Sequence, residues 1–144
     1  MSHIYAADEV GIWLDGLAHQ TVEVTGAKEV GVRSTGADRL RITVLLAARG
    51  NGAKVTPFVL IPRKRPIKEL EKYRGQLTIC YSGPQSWMNE ERTSEFLKSC
   101  IGRDIFGARK LLVWDAFPPH FTQATRDICA NYNIDMVVIP GMHI

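Results

Sequence analysis

The chain has 144 residues, is 45% apolar and 23% charged, and carries a formal charge of +3. That length fits one domain spanning 1–144, and the balance supports a real core without disulfides or metals to hold it together. No apolar run approaches the roughly 20 residues of a membrane span, and the first residues lack a basic-then-apolar secretory pattern. A membrane protein, a disordered tail, a collagen-like chain and a small disulfide scaffold are therefore not expected.

Residues 4–14 mix apolar and β-branched side chains around Asp8 and predict a strand or a strand pair. Asp15-Gly16 is a turn signal. Residues 21–25 alternate, Val22 and Val24 against Glu23, and residues 28–34 read as another short strand. Residues 41–49 are strongly β. Gly50-Asn51-Gly52 marks a tight turn, and the β pattern resumes over 54–62, which predicts a hairpin. Residues 63–75 are a basic connection with a helical turn near 67–73, and 77–81 form a short strand. Asn89 can cap a helix running to Cys100 or Ile101, with Phe96, Leu97, Cys100 and Ile101 on its apolar face. Residues 109–114 predict an apolar strand that ends on Asp115. Thr122 can cap a second helix to about Tyr132, and 135–140 predict a buried strand. Antiparallel strands followed by β-α-β-α-β imply an α/β class with a mixed sheet. A ribonuclease-H-like core has this layout, and so do other α/β sheets.

Cys80, Cys100 and Cys129 are odd in number, widely spaced and set among apolar residues. They read as reduced core thiols, and no short-spaced pair suits zinc. Charge is distributed unevenly. Residues 1–27 hold four acids and no Lys or Arg, whereas residues 28–75 hold twelve bases and four acids. The basic middle includes Arg33, Arg41, Lys54 and the run Arg63-Lys64-Arg65. Such a block suits phosphate contacts with a polyanion, although a solvated loop face reads the same way.

Asp8 and Asp115 are the informative acids. Asp8 interrupts an apolar strand, and Asp115 stands at the carboxyl end of Leu111-Leu112-Val113-Trp114, where α/β sheets build sites. If both strands are central, the two carboxylates meet and a divalent cation relieves their repulsion. Magnesium suits hard oxygen ligands that leave waters free, and metal-assisted phosphodiester chemistry follows naturally. From spacing alone, the plainer reading is Asp115 as a turn or N-cap residue and Asp8 on an exposed face.

The segment Ala6-Ala7-Asp8-Glu9-Val10-Gly11-Ile12-Trp13-Leu14-Asp15 resembles the first catalytic segment of pogo/Tigger-type transposases of the DDE endonuclease superfamily. Leu111-Leu112-Val113-Trp114-Asp115-Ala116-Phe117-Pro118-Pro119-His120 resembles their second signature, and Ile139-Pro140-Gly141 the strand that follows it. Trp87-Met88-Asn89-Glu90-Glu91 and the Gly26–Gly36 stretch also have counterparts, in the same order. The resemblance implies a ribonuclease-H-like DDE domain with Asp8 and Asp115 as metal-binding carboxylates. His120 is implied to orient the site or contact DNA, and Trp87 to pack in the core. Glu9 and Asp15 fall in matched positions with no chemistry assigned to them.

The family's third acid lies beyond the Ile139-Pro140-Gly141 strand, and no residue here matches it; Asp127 and Asp135 fall in the wrong places. The expectation is thus a C-terminally incomplete domain, lacking the final helix, that binds DNA in the nucleus but cleaves poorly. No small-molecule cofactor is expected. Two alternatives stand beside it: an active magnesium-dependent endonuclease whose third acid comes from elsewhere, and a non-catalytic protein-interaction module.

Overall fold

The computed structural model describes residues 3–13, 41–83, 87–102 and 106–140. Within them the β-rich runs become six strands of one sheet. These are β1 (Ile4–Trp13), β2 (Arg41–Arg49), β3 (Phe58–Ile61), β4 (Thr78–Tyr81), β5 (Lys110–Asp115) and β6 (Ile134–Ile139), in the spatial order β4-β3-β2-β1-β5-β6. The first segment is one unbroken ten-residue strand rather than a pair. It pairs with β2 along its whole length, from Tyr5 opposite Arg49 to Trp13 opposite Arg41. The strands expected over 21–25 and 28–34, the Asp15-Gly16 turn and Arg33 lie outside the described residues.

The hairpin forms, with one irregularity. Val55 N donates to Ala47 O at 2.9 Å, yet the regular β2–β3 ladder begins only at Phe58, opposite Leu45. Between them the register shifts by one residue, at Thr56-Pro57, where proline has no N–H to give the ladder. β3 therefore runs parallel to β1, and β4 and β5 are parallel to their neighbours. The chain leaves β4 at one edge and returns as β5 beyond β1, so the intervening helix must cross the sheet.

That helix, α1 (Glu90–Phe96), starts where Asn89 accepts a hydrogen bond from Arg92 N, and continues as a π-helical turn, Leu97–Ile101. α2 (Gln123–Asn131) starts at Thr122, whose hydroxyl accepts from Thr125 N. Both caps are the predicted ones, and each satisfies a backbone donor the helix leaves unpaired. A 3₁₀ turn, Lys68–Tyr73, occupies the basic connection. No helix among the described residues is long and apolar enough to cross a membrane.

Phe96, Leu97 and Ile101 pack with Phe58, Leu45, Leu112 and Trp114 in a single apolar cluster on one face of the sheet. The Phe58 and Phe96 rings meet edge to face with centroids 6.1 Å apart. Lys110 is buried there, and its ammonium donates to Ile101 O at 3.1 Å and Gly102 O at 2.6 Å, satisfying carbonyls at the end of the helical segment. Cys80 and Cys129 are buried free thiols, as expected, while Cys100 is half-buried.

The opposite face is different. Ile4, Val10, Ile12 and Leu46 are exposed there, and so are Val137 and Ile139 of β6. The last strand is therefore not the buried strand expected. It sits at the sheet edge, and its pairing with Val113 and Asp115 turns Val137 and Ile139 toward the uncovered side.

Candidate metal and nucleic-acid site

Strand alternation sends neighbouring residues to opposite faces. In β1, Tyr5 and Ala7 are buried beneath the helices, while Ile4, Ala6 and Asp8 face the open side. The parallel pairing of β1 with β5 runs from Ile4–Leu111 to Ala6–Val113. Two residues further on, Asp8 stands abreast of Asp115, on strands about 4.8 Å apart. Both line one open cavity of about 760 Å³, together with Lys54 and the apolar side chains of Leu46, Val113 and Ile139. Asp8 and Asp115, 107 positions apart in sequence, are thus brought to the same place by sheet topology.

Asp115 is the last residue of its strand, and the chain then turns tightly through Phe117 into a 3₁₀ turn, Pro118–Phe121. Its Oδ1 accepts from Phe117 N at 3.3 Å and lies 3.1 Å from His120 Nδ1. His120 is only 1% exposed. Its ring stacks on Trp114 at 3.9 Å with the planes 2° apart, and the Phe117 ring meets its edge. Its second nitrogen, Nε2, lies 3.2 Å from Glu9 Oε1. Burial alone pushes the His120 pKa down. The hydrogen bond to Glu9, the bond from Nδ1 to the Asp115 carbonyl and the two negative charges outweigh it, so the pKa stands above the ordinary imidazole value. When protonated, the ring is a clamp with one N–H on β1 and the other on the end of β5.

Glu9 is the residue that the sequence reading left without chemistry. The signal was present: it continues the Tyr5, Ala7 register of β1, and a carboxylate on a core-facing register requires a partner. Glu9, Asp115 and His120 also offer three ligand atoms within 4.8 Å of one another. Asp127 and Asp135 stay away from this cluster, as expected. Asp127 accepts from Gln123, and Asp135 is held by both nitrogens of a bidentate Arg109 at the other end of the strands.

The predicted cationic residues separate. Lys54 reaches the cavity. Arg63, Lys64 and Arg65 are exposed just after β3; Glu9, next to Asp8, is level with Leu45 and with Phe58, the first residue of β3, so the three cations leave at the opposite end of β3 from Asp8 and Asp115. Arg41 is half-buried on the helix side, its guanidinium 4.5 Å from the Trp87 ring centroid. Trp87 is not a core residue as expected. It is 63% exposed, and its neighbour Met88 is the one buried in the core.

No family model matches the chain. It is 31% identical over 139 residues to the Mus musculus protein "Pogo transposable element with KRAB domain", and 30% identical over the same length to the Homo sapiens protein of that name. Each match covers 94% of this chain and 22% of the relative, so the chain spans about a fifth of the relatives' length. Among solved structures, the Mos1 strand transfer complex superposes with a TM-score of 0.54 at 14% identity, covering 94% of this chain and 34% of that one. Over nearly its whole length the chain is thus similar in sequence to part of the pogo transposable element proteins, and it shares its fold with part of the Mos1 strand transfer complex.

Proposed function

We propose that this chain is a DNA-binding domain of transposase origin whose ancestral strand-cleaving chemistry is reduced to background. The observation that carries the reading is the meeting of Asp8, in the middle of β1, Asp115, at the carboxyl end of β5, and Lys54 around one open cavity. Two apposed carboxylates and a nearby ammonium are chemically suited to a phosphodiester with its cation. The relatives' name points the same way, and the exposed Arg63, Lys64 and Arg65 beyond the end of β3 add phosphate-binding charge for a longer backbone.

The donor set fits a hard divalent cation, and magnesium is the natural choice. Asp8 would hold it with Asp115. Such an ion, when bound, neutralises charge developing on phosphate oxygens. His120 and Phe117 N both engage Oδ1 of Asp115, which holds the carboxylate in place. Among the described residues no third carboxylate joins Asp8 and Asp115 on the open face. With two acids, metal affinity falls and the attacking oxygen is poorly positioned, and misplacement of that kind costs orders of magnitude in rate. A DNA-binding remnant of this type works in the nucleus.

Two experiments test the reading. Filter binding to duplex DNA at low and at moderate salt should show a steep loss of affinity with salt, as counterion release requires. Plasmid nicking in magnesium should stay at background. Robust nicking abolished by Asp115→Asn would instead favour an active nuclease completed by a carboxylate from outside the described residues. Salt-independent or absent DNA binding would leave a protein-interaction module.

A further inference from the structure

β1 and β2 continue together past the cavity, with β3 still paired to β2 at Thr43, and the helix-side face of this extension carries an arrangement the chemistry above does not use. Gly11 lies on that face. A Cβ there would overlap the Arg41 guanidinium, so the missing side chain lets Arg41 lie flat across the strand. Trp87 covers the guanidinium from above. Strand, cation and indole are therefore layered, and Trp87 is left 63% exposed. Trp13, 57% exposed, is paired with Arg41 across the strands and shares its face.

We propose that Trp87, seated on Arg41 over Gly11, is a stacking platform for an unpaired nucleobase on the face of the sheet opposite the carboxylates. The inference rests on the DNA-binding reading and adds to it the strand form recognised. An exposed indole is ordinarily a poor surface residue, and here it is held in place rather than left to rotate. A flat aromatic face takes a base face, and a base inside a duplex does not offer one. The site therefore selects single-stranded or frayed DNA. Glu90 and Glu91, which open α1 just after Trp87, disfavour a phosphate at this spot and leave the base as the part that docks. Gly11 is three residues beyond Asp8 on β1, about 10 Å along the strand, and points to the other face, so the platform is a docking point separate from the carboxylates.

The test uses the full chain with two fluorescent probes, an oligothymidylate and a duplex of equal length, read by anisotropy and by quenching of tryptophan fluorescence. Trp87→Ala should weaken oligothymidylate binding by about 5- to 100-fold and remove most of the quenching, while changing duplex binding by less than about twofold. Trp87→Leu keeps apolar bulk without a π face and should behave like the alanine variant, whereas Trp87→Phe should keep most of the affinity. The salt slope should be unchanged in all three, because no charge is removed. If wild-type protein binds both probes and Trp87→Ala matches it, or loses equally on both, the platform is overturned while DNA binding stands. If wild-type protein binds neither probe, the DNA-binding reading falls and the platform with it.

Discussion

The Glu9–His120 contact is the strongest quantitative claim this structure makes. Truncating His120 to alanine removes a ring stacked on Trp114 at 3.9 Å, a pairing worth about 0.5–1.5 kcal/mol. It also removes a charge-assisted hydrogen bond to Glu9, worth about 1.5–3 kcal/mol. The single variant should therefore lose on the order of 3–4 kcal/mol. Glu9→Ala should cost roughly the hydrogen bond alone, and the double variant should cost less than the sum by about 1.5–3 kcal/mol. The sign of the pH dependence is fixed. The His120 pKa is higher folded than unfolded, so its stabilisation is complete below the unfolded value and is lost as pH rises through the folded one. Urea unfolding of the four proteins with chelator present, at about pH 6 and at a series of higher pH values, follows the coupling as the ring loses its proton. A coupling below about 0.5 kcal/mol at the acidic pH, or one that is the same at every pH, would refute the clamp.

Manganese or magnesium at about ten times its dissociation constant should stabilise the protein by about 1.4 kcal/mol, raising Tm by a few degrees in scanning fluorimetry. Asp8→Asn and Asp115→Asn should each abolish the shift, whereas Asp135→Asn, at the far end of the strands, should keep it. Phe96→Ala removes a fully buried ring packed on Phe58, and chemical denaturation should show a loss of about 3–5 kcal/mol. Burial pushes the thiols of Cys80, which also donates to Glu95, and Cys129 up to about 11. In native protein at pH 8 both should alkylate about a hundredfold more slowly than an ordinary exposed thiol, and at its full rate once denatured, as read by mass spectrometry.

Much of this fold is visible in the chain because its signals are local. Asn89 and Thr122 announce their helices, and the alternation around Gly50-Asn51-Gly52 announces the hairpin. Asp115 could be placed at a strand end because an apolar run stops there. The register change at Thr56-Pro57 was less visible, since a proline says that a ladder is interrupted but not by how many residues. The exposure of Trp87 could not be read locally at all. Trp87-Met88 contains two apolar residues side by side, and only the approach of Arg41 decides which of them turns outward. The edge position of β6 depends on the spatial order of strands, which hydropathy does not encode. Glu9 was the missed opportunity. Its place in the Tyr5, Ala7 series was open to inspection, but its partner lies 111 residues away.

The Asp8-Glu9 dipeptide joins two jobs at one peptide bond. One carboxylate looks into the cavity and the other binds the imidazolium beneath the sheet, and only the pleat of β1 keeps them apart. A one-residue insertion between Tyr5 and Asp8 would send each acid to the other face, carrying the shorter one beneath the sheet toward His120 and the longer one onto the open face two residues past the carboxylate site. This strand can therefore exchange side chains over evolutionary time, but it cannot change its length.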